Sequence, residues 1–216
     1  MKAYFITAPL GALLALAGIA MVKSAPSIDI LDGASAAIPT RHPVTEEMKK
    51  AAASLKRTPA PLLTAKDYLG NNYQIDILKQ GYPTLLIFIK SGCPCSIDAQ
   101  PIFNNIAAAY GPHARFIGIY DGDSTDAKAF AEFNKVTFPI ITDEKNAWVK
   151  AYKMVASASM ALVDGKGQIV EVWPGYSQSI MRQSNFLLGT LTDQGPQEFD
   201  YSKAPKDLTA GCAFEL

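Results

Sequence analysis

The chain has 216 residues, of which 49% are hydrophobic and 19% charged, and its formal net charge is zero. That composition is enough for one domain with a proper core. A zero balance with no long basic run gives nucleic acid no electrostatic foothold.

The first segment stands apart. Lys2 precedes an uncharged run from Ala3 to Val22, and Lys23 follows it. Such a segment is directed to a membrane. Two fates are open for residues 1–22. A signal peptide can be cut after Ala20, with Gly18 and Ala20 as the small residues before the cut. Equally, residues 3–22 can stay as an anchor in contact with the membrane, since ~20 apolar residues span a bilayer. Both place the rest of the chain outside the cytoplasm. The expected location is periplasmic or on the outer face of the cytoplasmic membrane, secreted or anchored. The three cysteines, Cys93, Cys95 and Cys212, then meet an oxidising compartment. Three is odd, so they cannot all pair within one chain.

Residues 23–57 read as a linker with a short helix. The part up to residue 43 is rich in Ala, Ser and Pro without a period. Thr45 can cap a helix over 45–57, with Glu46 and Glu47 in its first turn and Lys56 and Arg57 in its last. Two prolines in RTPAPLL end it, so a domain boundary falls near residue 58.

Strands then alternate with helices. YQIDIL (73–78) reads as a short strand after the turn LGNN. TLLIFI (84–89) is a continuous apolar run, the pattern of a central strand buried on both faces. Residues 94–110 carry helical spacing, and RFIGIYD (115–121) is a second central strand. A helix over 123–135, a strand over 138–142 and a helix over 144–152 follow. SMALVD (159–164) and IVEVW (169–173) form an antiparallel hairpin through GKGQ. The helix 177–191 closes the pattern, and 193–216 is a flexible tail that carries Cys212. The alternation predicts an α/β domain whose sheet is covered by helices on both faces.

The chemistry centres on KSGCPCSIDAQP (90–101). Cys93 follows a strand and a short loop, and Pro94 suits the first turn of a helix. Unpaired amides and the positive end of the helix dipole favour a solvent-facing thiolate there, with Lys90 adding to the effect.

The arrangement resembles the thioredoxin fold over roughly 58–192, and within it the alkyl hydroperoxide reductase C/thiol-specific antioxidant group and the TlpA-like thiol oxidoreductases. APLLTAKDYLGNNYQI, FIKSGCPCS, FPIITDEKNAWVKAY, ALVDGKGQIV and Pro101 carry the resemblance. It implies a thioredoxin-like α/β fold with a central mixed sheet, preceded here by the membrane-directed segment. It also implies thiol–disulfide exchange or peroxide reduction with no bound cofactor, and electrons from a thiol protein partner.

Departures from the family pattern matter. Ser96 stands where thioredoxins have a second cysteine and where peroxiredoxins place the peroxidatic one. Ala158 stands where a cis-proline or an arginine is expected, and Ala99 where TlpA-like sites often carry an acid. Three candidate catalytic residues remain. Cys93 is the nucleophile. Cys95 can resolve it through a small ring, strained and readily reduced. Cys212, beside Gly211, can reach back from the tail and resolve it instead. A Sco-like copper carrier or a redox-inactive docking domain is the alternative, but C-x-C spacing and the positions of His42 and His113 count against copper. YDGDSTD (120–126) reads as turn and cap chemistry.

Overall fold

The computed structural model describes residues 42–61, 64–74 and 81–216, all within one compact unit. The membrane-directed segment at 1–22 lies outside the described residues, as does most of the strand expected over 73–78. Among the described residues no helix is long and apolar enough to cross a membrane.

In chain order the elements are β1 (His42–Pro43), α1 (Glu46–Ala53), β2 (Thr64–Lys66), β3 (Asn72–Gln74), β4 (Thr84–Ile89), α2 (Pro94–Tyr110), β5 (Arg115–Tyr120), α3 (Ser124–Phe133), β6 (Ile140–Thr142), α4 (Ala147–Ala151), β7 (Ser159–Val163), β8 (Ile169–Trp173), α5 (Gln178–Leu191) and β9 (Thr209–Ala210). The main sheet has five strands in the order β6-β5-β4-β7-β8. β4, β5 and β6 run parallel, while β7 is antiparallel to β4 and β8 antiparallel to β7. This is the expected mixed sheet of a thioredoxin-like fold.

β4 shows why the apolar run TLLIFI has no alternation. Leu85, Ile87 and Ile89 point into one core with Ile102, Phe103 and Ile106 of α2 and Met181 and Leu188 of α5. Leu86 and Phe88 point into the other, with Leu55, Trp148 and Val149. A strand covered on both faces needs apolar residues at every position. The helix expected at 45–57 is α1, capped by Thr45. It is docked rather than tethered: Ala52 and Leu55 join the second core, and the Arg57 amide donates to the Ile169 carbonyl, 2.8 Å away.

One local difference has a clear cause. The helix expected from 144 starts only at Ala147, because the buried Asp143 carboxylate accepts from the amides of Ala147, Trp148 and Val149 at 2.8–3.0 Å and so acts as its cap. Asn146 just before it adopts a left-handed backbone, φ 54°.

The tail is the larger correction. Residues 193–216 are not a flexible appendage. β9 pairs with β1, the Thr209 and Tyr176 backbones exchange hydrogen bonds of 3.0 and 2.9 Å, and Phe214 is buried in the second core. Burying one phenylalanine supplies about 1.5–3 kcal/mol, a strong anchor for so short a segment. The sequence gives no period here because isolated bridges and one aromatic hold the segment, not a repeating face.

Asp143→Ala leaves three amides without their acceptor and is expected to cost about 2 kcal/mol or more of folding stability. Denaturant unfolding measures this, and Asp143→Asn, which keeps an acceptor oxygen, should lose less.

Candidate functional site

The site lies where β4 gives way to α2. Gly92 takes a left-handed backbone, φ 66°, which turns the chain sharply. Cys93 then caps α2 in extended conformation, and Pro94 occupies the first helical turn. The preceding loop is clamped: the Ser91 amide donates to Asp121 Oδ1 at 2.6 Å and Lys90 Nζ to Asp121 Oδ2 at 3.1 Å. Lys90, expected to support the Cys93 thiolate, instead pairs with Asp121 and, at 3.9 Å, with Glu215. The expected cap role of the 120–126 acids holds for Asp123, which accepts from the amides of Thr125 and Asp126.

A second wall comes from the loop before β7. Ala158 has a left-handed backbone, φ 56°, and its amide donates to the Phe88 carbonyl at 3.0 Å. That bend presents the fully buried Ser157 to the sulfur: Ser157 Oγ donates to Cys93 Sγ at 3.0 Å.

The C-terminal segment forms the third wall. The backbone amide of Cys212 donates to Cys93 Sγ at 3.2 Å, and the Cys212 thiol hydrogen-bonds to the same sulfur. Gly211 makes this approach possible, because a Cβ there would overlap Ser157 Oγ and stand 3.2 Å from Cys93 Sγ.

Cys93 is consequently not solvent-facing as expected. It is only 1% exposed, while Cys212 above it is partly exposed. The segment 211–212 closes the helix terminus that local sequence alone would leave open. Cys95 is also buried, in the core of α2. No two of the three cysteines form a disulfide. Cys93 and Cys212 are hydrogen-bonded to each other.

Electrostatics follow from this geometry. Burial pushes the Cys93 thiol up, but hydrogen bonds from the Cys212 thiol, the Ser157 hydroxyl and the Cys212 amide outweigh it, aided by the Ser96 amide. The net effect is a Cys93 pKa below that of an ordinary thiol. Cys212 moves the other way, to about 11, through burial, the hydrogen bond to Cys93 and the negative charge of Cys93 and Cys95.

The other candidates fall elsewhere. Ser96 is buried, and its Oγ accepts from the Lys90 amide at 3.3 Å. Ala99 is buried in the α2 core. His42 lies in β1, and His113 is exposed in the turn after α2. Among the described residues no group of His, Cys, Asp and Glu is arranged to hold a metal ion. Ser157 carries no motif of its own, although it directly precedes Ala158, where a cis-proline or an arginine is expected. The usable signal was the hairpin: pairing β7 against β4 brings that loop to the end of β4.

A family model described as the AhpC/TSA family matches residues 57–172, more than half of the chain. The chain belongs to the AhpC/TSA family. A thioredoxin-like protein of Haemophilus influenzae is 24% identical over 109 residues, covering 50% of this chain and 65% of the relative, so less than two thirds of its length is spanned. Among solved structures, an uncharacterized conserved protein from Geobacillus kaustophilus superposes with a TM-score of 0.60 at 19% identity, covering 73% of this chain and 90% of the other. MTB dsbF, solved in mixed oxidised and reduced forms, gives 0.54 at 23% identity, covering 62% and 99%. These likenesses establish the thioredoxin-like fold for this AhpC/TSA member.

Two consequences can be measured on the reduced protein. Ser157→Ala removes a donor to the Cys93 sulfur, so the pH midpoint for Cys93 alkylation should move up. Folding stability should also depend on pH with two opposite slopes. Between the depressed Cys93 pKa and the ordinary thiol range, the unfolded chain holds the extra proton, so stability rises with pH. From there to about 11, the folded chain retains the Cys212 proton and stability falls. Cys93→Ala should abolish the rising limb in denaturant titrations at stepped pH.

Proposed function

We propose that this AhpC/TSA protein is an exported thiol–disulfide oxidoreductase, with Cys93 as nucleophile and Cys212 as the resolving thiol. One observation carries the reading: the Cys93 sulfur receives hydrogen bonds from Ser157 Oγ, at 3.0 Å, and from the backbone amide of Cys212, at 3.2 Å. Donors aimed at a sulfur stabilise its anion, and the anion is the attacking form. Export rests on the uncharged run 3–22 between Lys2 and Lys23.

The chemistry runs in two displacements. The Cys93 thiolate attacks one sulfur of a partner disulfide, the partner S–S bond breaks, and one partner thiolate leaves and takes up a proton. Cys93 is then neutral in a mixed disulfide. Burial still raises the Cys212 pKa, but the hydrogen bond to the Cys93 thiolate and its charge, which added to burial, are gone, so the pKa falls from about 11. Cys212 loses its proton to solvent and attacks the Cys93 sulfur. The second partner thiol departs, and a Cys93–Cys212 disulfide remains. Two electrons have passed to the partner. A donor thiol protein returns them by attacking the more exposed Cys212 sulfur, with Cys93 as the low-pKa leaving group. Exchange is favoured over peroxide reduction because the family's peroxidatic position holds Ser96, a buried hydroxyl occupied with the Lys90 amide.

Mapping of the oxidised protein by mass spectrometry should find Cys93 bonded to Cys212; a Cys93–Cys95 bond would overturn the assignment of the resolving thiol. Cys93→Ser should abolish reduction of a disulfide-bonded test protein. Cys212→Ser should stop multiple turnover and accumulate a mixed disulfide at Cys93, whereas Cys95→Ser should retain most activity.

A further inference from the structure

The loop 155–157 behaves as a short strand edge, and one extended segment covers it. The Gly211 amide donates to the Ser157 carbonyl at 3.0 Å, the Ser157 amide to the Cys212 carbonyl at 3.0 Å, and the Phe214 amide to the Val155 carbonyl at 2.8 Å. Ala156 pairs with Ala213 in the same antiparallel sense. These bonds are between main chains, so they read conformation and register, not sequence. Selection by side chain enters at two points. The position before the cysteine must lack a Cβ, since one would overlap Ser157 Oγ. The position two after it places an aromatic ring in an apolar cluster beside Trp148 and Tyr152.

Cys93 is 1% exposed, and the covering sulfur is that of Cys212. A partner sulfur reaches Cys93 only by taking that place. We propose that this edge is the docking site for an extended segment of a partner protein with glycine immediately before its disulfide-bonded cysteine, and that residues 211–215 are an internal stand-in for that ligand. The stand-in yields the edge when the partner segment binds, and returns with Cys212 to resolve the mixed disulfide. This inference rests on Cys93 being the nucleophile.

The test uses the full chain carrying Cys212→Ser, so that capture stops at the mixed disulfide. Two synthetic peptides are compared, one with the sequence of residues 208–216 and one with alanine in place of its glycine. In each the cysteine is joined by a disulfide to a chromogenic arylthiol. The Cys93 thiolate displaces that arylthiolate, whose absorbance reports the rate. The glycine peptide should be captured about tenfold faster, the usual scale of forcing a methyl into a filled site. Adding Ser157→Ala removes the obstructing oxygen and should shrink the ratio to about twofold or less. Adding Gly211→Ala instead, which expels the chain's own segment, should raise capture of the glycine peptide about tenfold. If circular dichroism shows that this variant does not fold, Phe214→Ala withdraws the anchoring ring to the same end. Equal rates for the two peptides, with Cys93 still reacting with the arylthiol's own symmetrical disulfide, would sink the docking site and leave the oxidoreductase reading intact. No reaction of Cys93 with that small disulfide in the Gly211→Ala chain would sink both. A dimer formed by the Gly211→Ala chain would assign the edge to a second copy and overturn the partner assignment.

Discussion

The hydrogen bond from the Cys212 amide to the Cys93 sulfur joins residues 119 positions apart in sequence, and the character of the site follows from it. It removes Cys93 from solvent, which by itself disfavours a thiolate. It also supplies a donor and brings the Cys212 thiol within reach, and these favour one. The balance falls toward the anion because several donors converge on one sulfur while the desolvation cost is met once. Neither the helix terminus nor the thiol sequence alone would set this balance.

The same contact divides labour between the two sulfurs. Cys93 is buried and easily ionised; Cys212 is more exposed and holds its proton. Their pKa values are pushed apart by each other, so reaction at one resets the other. While Cys93 carries negative charge, Cys212 keeps its proton, and a protonated thiol is slow to oxidise. The coupling needs close contact, and close contact needs Gly211.

The scaffold makes the contact durable. The two-sided burial of β4 holds the strand end, the Lys90–Asp121–Ser91 clamp holds the loop, and the bend at Ala158 holds Ser157 against the sulfur. The C-terminal segment is pinned on both sides of Cys212, by β1 and Tyr176 before it and by Phe214 after it. As a member of the AhpC/TSA family, the protein has a thioredoxin-like mixed sheet, and the hydrogen-bonded thiol of Cys93 lies three residues ahead of Ser96.

Much of the framework was legible locally. TLLIFI declared a two-sided strand because it is an unbroken run without charge or alternation, and Thr45 and the pair Asp123 and Ser124 declared helix starts because short polar side chains satisfy free amides. Pro94 marked the first turn of α2, which placed Cys93 at a helix terminus. These features depend on residues within one turn or one strand of each other. Asp143 as a cap was less visible, because it acts past an intervening left-handed residue. The covering of Cys93, the role of Ser157 and the order in the last residues were decided only by tertiary structure. Each depends on which loop the sheet's antiparallel pairing carries to the end of β4, and on a terminal segment without periodicity finding that loop through main-chain bonds and one buried ring. Main-chain bonds leave no residue pattern to read, so the sequence placed Cys93 at a helix terminus while folding alone decided what covers it.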